Sequence, residues 1–137
     1  MSRAETIAKL KAVPLFQNCT GRQLRRIAES GNEGSFEPGH VIFEEGTFAD
    51  EFFVILEGRA DVREGRRKLR TLVASDYFGE IALVRSTLLE RSRRTATVTA
   101  VEPLRCFRLG RSQFNALLYE GDIAVKILRA VVERLDP

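Results

Sequence analysis

The first thirty residues repeat their apolar positions at helical spacing, over residues 3–12 and again over residues 20–30. Thr20 can cap the start of the second helix and Gly31 can end it. The residues expected to share its apolar face are Leu24, Ile27 and Ala28. This part of the chain therefore predicts two N-terminal helices over about 3–30.

From about residue 33 to 109 the pattern changes to short apolar and β-branched runs, separated at intervals of roughly 7 to 12 residues. The breaks fall at Pro38-Gly39, Gly46, Gly58 and Gly65, and a later one at Pro103. Regular turns between short strands favour an antiparallel roll or barrel of about eight strands. We expect an α+β protein, mainly β, in which this antiparallel roll or barrel is flanked by helices.

Residues 111–136 return to helical spacing, and the last predicted helix follows Asp122. Its expected apolar stripe consists of Ile123, Ile127, Val131 and Leu135, widened by Leu128 and Val132. Such a face needs a partner, which can be the roll or another subunit. A homodimer is compatible with this pattern but is not required by it.

The 137 residues suit a single domain over 1–137, and 44% of them are apolar. No apolar run reaches the 18 or so residues of a membrane helix, and the N-terminus lacks the features of a secretion signal. We therefore expect a cytoplasmic protein without a membrane segment. Cys19 and Cys106 are far apart and outside any Cys/His cluster, so neither a disulfide framework nor a metal site is predicted.

The net charge is +3, with basic stretches at residues 63–70 and 85–94. Basic surfaces can attract nucleic acid. Neither stretch is interleaved with aromatic residues or followed by a helix-turn-helix pattern, so a solvated hairpin is the preferred interpretation of residues 63–70. A nucleic-acid partner is not favoured.

One stretch, "YFGEIALVRSTLLERSRRTATV" over residues 77–98, combines features of an anion site. Gly79 and one helical turn after it can offer backbone N–H groups to a phosphate. Glu80 could accept hydrogen bonds from a neighbouring hydroxyl, and the guanidinium of Arg94 could bind two phosphate oxygens. A surface ion pair between Glu80 and Arg94 explains the same residues without a ligand, and chemistry alone leaves the two interpretations nearly even.

Four segments in order, "EPGHVIFEEG", "FFVILEGRADV", "YFGEIALV" and "RRTATV", resemble the cyclic nucleotide-binding domain of catabolite activator proteins, cyclic-nucleotide-dependent kinases and gated channels. The resemblance covers about residues 10–135. It implies an eight-stranded, jelly-roll-like β-roll flanked by helices. It also implies a phosphate-binding cassette at residues 78–98, with Glu80 on the ribose 2′-hydroxyl and Arg94 on the cyclic phosphate. Backbone N–H groups at the phosphate and ribose would come from Gly79, Ile81 and Ala82.

The resemblance also implies contacts to the base. Thr95 lies where a hydroxyl can reach the phosphate or a guanine 2-amino group, which alone does not decide between cAMP and cGMP; cAMP is placed ahead. The apolar side of the base pocket would be lined by Val62, Leu69 and Leu72. The last helix closes over the base in many family members, which makes Arg134 and Leu135 the lid candidates.

The cassette departs from the family pattern in three ways. Arg93 stands where a proline usually precedes the cassette arginine. Arg94 follows Glu80 by 14 residues because "STLLERS" is inserted. Arg91, Arg93 and Arg94 also compete for the phosphate role; the following "TATV" places Arg94 first and Arg93 second.

No catalytic set of residues is recognisable, and the candidate site suits binding rather than bond breaking. We therefore expect a regulatory module and not an enzyme. It would bind a cyclic nucleotide, without a further cofactor, and would control a protein effector in trans or in a longer chain. The alternative is a β-roll interaction module with a degenerate pocket that binds no nucleotide.

Overall fold

The computed structural model describes residues 2–48, 50–79, 93–117 and 121–135. Four α-helices lie at its two ends: α1 (Arg3–Lys11), α2 (Gly21–Ser30), α3 (Arg111–Leu117) and α4 (Ile123–Leu135). A short 3₁₀ helix, Pro14–Phe16, separates α1 from α2. The helical segments predicted from the sequence are thus present, with boundaries that differ by a few residues.

Between the helices, the described residues form eight strands: β1 (Asn32–Phe36), β2 (Val41–Phe43), β3 (Glu51–Glu57), β4 (Ala60–Glu64), β5 (Arg67–Leu72), β6 (Tyr77–Phe78), β7 (Thr97–Ala100) and β8 (Leu104–Gly110). They pair antiparallel in two four-stranded sheets, with orders β1-β8-β3-β6 and β2-β7-β4-β5. Consecutive strands often belong to different sheets, as in a roll. The predicted mainly β fold, an eight-stranded roll flanked by helices, is confirmed.

Strand β3 separates two hydrophobic cores because its side chains alternate between the two faces of its sheet. On one face, Phe52, Val54 and Leu56 pack with residues of all four helices. On the other, Phe53 and Ile55 pack inside the roll with buried residues of the second sheet. The described part of the chain is thus organised around one sheet with a core on each side.

Helix α2 begins as its sequence predicts. The Thr20 hydroxyl accepts from the Gln23 backbone N–H at 3.1 Å, and the Gln23 side chain accepts from the Thr20 N–H at 2.9 Å. This reciprocal pair is a capping box. Gly31 follows the last helical residue, as expected.

The apolar stripe predicted for α4 is only partly correct. Ile123, Ile127 and Ala130 are buried against the helical core, whereas Val132 is 63% exposed. Val132 is nine residues beyond Ile123, and each residue advances an α-helix by about 100°, so the two point to opposite sides. The prediction that Val132 widens the buried stripe was therefore wrong.

Both cysteines are free thiols. Cys106 is fully buried in the core of the roll, and Cys19 is partly buried beside the helical core. None of the helices in the described ranges is long and apolar enough to cross a membrane.

Candidate functional site

Arg94 is held opposite the connection between β2 and β3 by two backbone hydrogen bonds. Its N–H donates to the Thr47 carbonyl at 2.7 Å, and its carbonyl accepts from the Gly46 N–H at 2.8 Å. The preceding residue, Arg93, forms an isolated antiparallel bridge with Phe48. Residues 93 and 94 are therefore fixed in register against the connection between β2 and β3 before β7 begins.

The Arg94 side chain is buried, with only 5% of the residue exposed. Its Nη1 donates to the Gly79 carbonyl at 3.3 Å and its Nη2 to the Glu51 carbonyl. The guanidinium carbon lies 4.0 Å from the centroid of the Phe43 ring, close enough for a cation–π contact. These contacts place a permanent positive charge beside the end of β6.

Gly79, near the start of the predicted cassette, is the residue whose carbonyl contacts the Arg94 guanidinium. Its φ is +85°, a conformation that glycine adopts readily and other residues rarely do. A Cβ atom at this position would lie 2.6 Å from Nη1 of Arg94. Both the backbone conformation and the position of the Arg94 side chain therefore favour glycine.

Arg93 occupies a different environment from its neighbour. It is exposed, its Nη1 donates to the Gly46 carbonyl at 2.7 Å, and its guanidinium lies 4.4 Å from the centroid of the Phe48 ring. Phe48 is itself 42% exposed. Of the two arginines that the structure describes in this cluster, Arg94 is therefore the one directed toward Gly79.

The other predicted cassette residues are only partly within the described ranges. Thr95 is exposed and directly follows Arg94, in the bend before β7. Glu80, Ile81 and Ala82 lie outside the described residues, as does Arg91. The structure therefore brings together Gly79 and Arg94, while the ribose contact expected of Glu80 stays a prediction.

The three predicted base-pocket residues do not share one environment. Val62 and Leu72 are buried in the core of the roll, at 7% and 1% exposure, whereas Leu69 is 44% exposed. Val62 pairs with Arg70 and Arg63 pairs with Lys68, so Leu69 is the extra residue of a β-bulge. Of the three, only Leu69 offers substantial accessible surface.

Arg70 is a further candidate for the base-pocket side of the roll that the sequence interpretation missed. It pairs with Val62, and residues directly opposite in an antiparallel pair lie on the same face of the sheet. This is also the face of Leu72, two residues along the strand. Arg70 is exposed there, at the rim of the roll. The sequence does contain a signal for this placement, because residues two apart in a strand share a face and Arg70 is two residues before Leu72. The signal was missed because the many basic residues around Arg70 suggested a solvated hairpin.

The lid candidates Arg134 and Leu135 are the last two residues of α4, and the structure does not describe their side chains. No group of three or more potential metal ligands occurs within the described ranges. The described part of the predicted site therefore consists of the buried Arg94 guanidinium at Gly79, while the exposed residues of β5 form a separate feature. A buried guanidinium is a group that can bind an anion.

The sequence profile of the cyclic nucleotide-binding domain matches residues 33–120. This range includes the roll from the second residue of β1 onward, together with Gly79 and Arg94. The chain belongs to the cyclic nucleotide-binding domain family. The family resemblance inferred from the four sequence segments is thereby confirmed.

Two relatives from different kinase classes are equally similar to this domain. A cGMP-dependent protein kinase of Toxoplasma gondii is 35% identical over 115 residues, which are 84% of this chain and 11% of the kinase. A cAMP-dependent protein kinase regulatory subunit of Eremothecium gossypii is 35% identical over 121 residues, or 88% of this chain and 25% of the relative. The chain thus spans only a small part of either relative.

Solved structures also match the cyclic nucleotide-binding domain across most of its length. The N-terminal domain of a transcriptional regulator from Streptomyces coelicolor A3(2) has a TM-score of 0.78 and 28% identity, covering 93% of this chain and 91% of that one. A structure described as cAMP-bound PfPKA-R has a TM-score of 0.70 and 28% identity, covering 83% of this chain and 40% of the other. The roll and its flanking helices therefore occur together in other proteins.

Proposed function

We propose that this domain senses a cyclic nucleotide, cAMP in preference to cGMP, and transmits binding to an effector through α4. The observation that carries the proposal is the buried guanidinium of Arg94, held at the carbonyl of Gly79. Two backbone carbonyls and the Phe43 ring bear partial negative charge and orient the guanidinium. An anion that reaches this position gains a directed, charge-assisted contact.

The ribose and the remaining phosphate contacts are assigned to residues 80–82 on the family resemblance. Glu80 would accept from the 2′-hydroxyl, and the backbone N–H groups of Ile81 and Ala82 would join that of Gly79 at the phosphate. A nucleotide supplies both the anion and the hydroxyl that this donor and acceptor set requires. A free phosphate would leave Glu80 without a hydroxyl and close to negative charge.

Base preference is the finer part of the proposal, and the two kinase relatives name one nucleotide each. The cAMP-bound structure adds support for cAMP. Thr95 and Arg70 are the described residues suited to distinguish the bases. An arginine that reached the base would favour guanine, because it can donate to O6 and N7, whereas adenine presents a donor at the equivalent of O6. The proposed preference for cAMP therefore requires that Arg70 does not contact the base. Measuring cAMP and cGMP affinities in Arg70→Ala tests whether Arg70 selects against cAMP or contacts neither base.

Signal output would use α4, because this helix contacts the N-terminal part of the chain through polar side chains. Gln17 Nε2 donates to Glu133 at 3.3 Å, and Lys126 Nζ donates to Gln23 at 2.8 Å. A ligand can reposition α4 only by as much as it binds the repositioned state more tightly, because Ile123, Ile127 and Ala130 also hold the helix in the core. Arg134 and Leu135, at the end of the helix, are proposed to close over the base, and the effector would recognise the changed position of α4.

Isothermal titration calorimetry with cAMP and cGMP tests the site directly. Arg94→Ala should lower the affinity for the bound nucleotide by about 2–5 kcal/mol, because it leaves a desolvated phosphate without its partner. Arg93→Ala removes an adjacent, exposed arginine and serves as the matched control, with little change expected. Equal affinities for wild type and Arg94→Ala would rule out this assignment.

Thermal unfolding with cAMP, cGMP and cyclic dinucleotides distinguishes a sensor from the interaction module. A ligand present at 100 times its dissociation constant should stabilise the fold by about 2.7 kcal/mol. If none of these ligands shifts the transition, the β-roll interaction module with a degenerate pocket becomes the better interpretation.

A further inference from the structure

The hairpin formed by β4 and β5 concentrates positive charge. Five of the eight residues from 63 to 70 are arginine or lysine, and all five are exposed; we call them the basic edge: Arg63, Arg66, Arg67, Lys68 and Arg70. Asp61 lies 3.3 Å from Lys68 Nζ and 3.7 Å from Arg63 Nη2. Within the described residues no ion pair involves the other three arginines.

Strand β5 is also the last strand of its sheet, whose order is β2-β7-β4-β5. Among the described residues it pairs only with β4. A strand in this position has backbone N–H and C=O groups directed away from the sheet, where another extended segment can pair with them. The tip of the hairpin is anchored, because the Gly65 N–H donates to Glu45 Oε1 at 3.0 Å.

The register places charges of the basic edge on both faces of the sheet. Arg63 and Lys68 pair with each other and lie on the face of Asp61, which they contact. Arg70 pairs with Val62 and lies on the opposite face, toward the roll. A molecule lying across one face would meet only part of this charge, whereas a strand added in the plane of the sheet would reach both faces.

We propose that β5 binds an acidic extended segment of a partner protein, which adds to the sheet as a further strand. Its main chain would pair with the open edge of β5, and its carboxylates, alternating between the two faces, would meet the basic edge. Opposite charges on neighbouring strands stabilise pairing, whereas like charges destabilise it. The same five cations therefore disfavour pairing of β5 with a second copy of itself.

Nucleic acid and anionic lipid are less suited to this surface. Residues 60–72 contain no aromatic side chain on which a base could stack. Phosphates arrayed on a surface would meet cations of one face only, and would not use the backbone groups of β5. Binding of nucleic acid or lipid vesicles can be distinguished from peptide binding in the experiment below.

The probe is an eight-residue peptide in which the sequence Glu-Glu-Val-Val occurs twice, so that carboxylates point to both faces of the added strand. It is compared with the same peptide carrying lysine in place of glutamate. Fluorescence anisotropy at low salt should show binding of the acidic peptide only. The double substitution Arg67→Glu/Lys68→Glu should weaken it about tenfold or more, since two attractive cross-strand pairs become repulsive. The control Arg22→Glu/Arg25→Glu changes the net charge equally on α2, where both arginines are exposed, and should bind normally.

Hydrogen exchange of the backbone amides distinguishes strand addition from general attraction of charge. Bound peptide should slow exchange within residues 67–72, and thermal stabilisation by cyclic nucleotide should be retained in the charge variants. If the double variant does not fold, Arg66→Glu in the turn provides the same test outside the strand. Binding without protection of β5, equal weakening by the α2 control, or tighter binding of a DNA oligonucleotide or phosphatidylserine vesicles would each overturn the proposal.

Discussion

At the scale of single residues, Gly79 and Arg94 depend on each other. The guanidinium occupies the space that a side chain at position 79 would need, 2.6 Å from the site of a Cβ atom. The Gly79 carbonyl in turn accepts a hydrogen bond from Arg94. A substitution at either position therefore changes the surroundings of the other. The two residues are distant in sequence: Glu80 follows Gly79, and Arg94 lies 14 positions after Glu80.

Gly79→Ala should lower both stability and nucleotide affinity. The φ of +85° costs a non-glycine residue about 1–2 kcal/mol, and the added methyl group displaces Arg94 as well. Gly39→Ala is the matched control, since Gly39 has a φ of +88° and open space within 4 Å of the position that its Cβ atom would take. Chemical denaturation and calorimetry should show a similar backbone penalty in both variants but lost affinity in Gly79→Ala only. Equal nucleotide affinities in the two variants would show that Gly79 does not contribute to nucleotide binding.

The buried thiol of Cys106 should make the free energy of unfolding depend on pH in the alkaline range. Burial raises the pKa of its thiol from an ordinary 9.0 to about 12. Because the folded state holds this proton more tightly, the stabilisation is complete below pH 9 and is lost as the pH rises toward 12, at about 1.4 kcal/mol per pH unit. Urea denaturation at pH 8 and pH 10 should show a shallower decline in Cys106→Ala than in wild type. Parallel declines would contradict the assignment.

At the scale of elements, Gln23 connects the two ends of the chain. It completes the capping box of α2, and its side chain also accepts from Lys126 Nζ and donates to Asp122 Oδ1. The hydrogen bond from Gln23 is the main reason that the pKa of Asp122 is lowered. One side chain therefore stabilises the start of α2 and fixes the approach of α4.

Gln23→Ala should cost about 1 kcal/mol of stability and return the pKa of Asp122 toward its ordinary value. A lowered carboxyl pKa contributes stability above the unfolded pKa that is lost as the pH falls, so the variant should also be less sensitive to acid. Thr20→Ala disrupts the same capping box but leaves the Gln23 contacts to α4 in place. An NMR titration of Asp122 should therefore shift in Gln23→Ala and stay unchanged in Thr20→Ala.

The sequence predicts elements better than it predicts which side chains meet. The capping box and the strand breaks are local patterns, so α2 and the eight strands follow from them. The exposure of Val132 depends on which side of α4 faces the core, which a helix with apolar residues on several sides does not reveal. The environments of Leu69 and Arg70 depend on a bulge in the pairing of β4 with β5, a non-local feature that short-range periodicity cannot encode. For Gly79 and Arg94, residue chemistry suggested a shared anion site but left it nearly even with a surface ion pair. The family resemblance favoured the shared site, and neither line of reasoning predicted the hydrogen bond between the two residues.

At the scale of the whole molecule, the two cores are joined through β3 and β8. Leu56 belongs to the helical core and its neighbour Ile55 to the core of the roll. Both residues are almost completely buried, at 3% and 1% exposure. Because one strand contributes to both cores, we expect the two cores to unfold together.

Ile55→Ala and Leu56→Ala should each destabilise the protein by about 2–5 kcal/mol, since each leaves a cavity in a different core. Val101→Ala, at a residue that is 42% exposed, should change stability by no more than about 0.5 kcal/mol. Thermal unfolding followed by circular dichroism and calorimetry should give one cooperative transition in every variant. Two separate transitions in either core variant would show that the cores unfold independently.

The alternation along β3 has a consequence for how this domain can diverge. Phe52, Val54 and Leu56 shape the surface that receives the helices, while Phe53 and Ile55 shape the interior of the roll. Because the two sets interleave within one strand, substitutions can alter the packing of the helices without changing the residues that line the interior of the roll. The helix-packing face and the roll interior can therefore diverge separately within one folded unit.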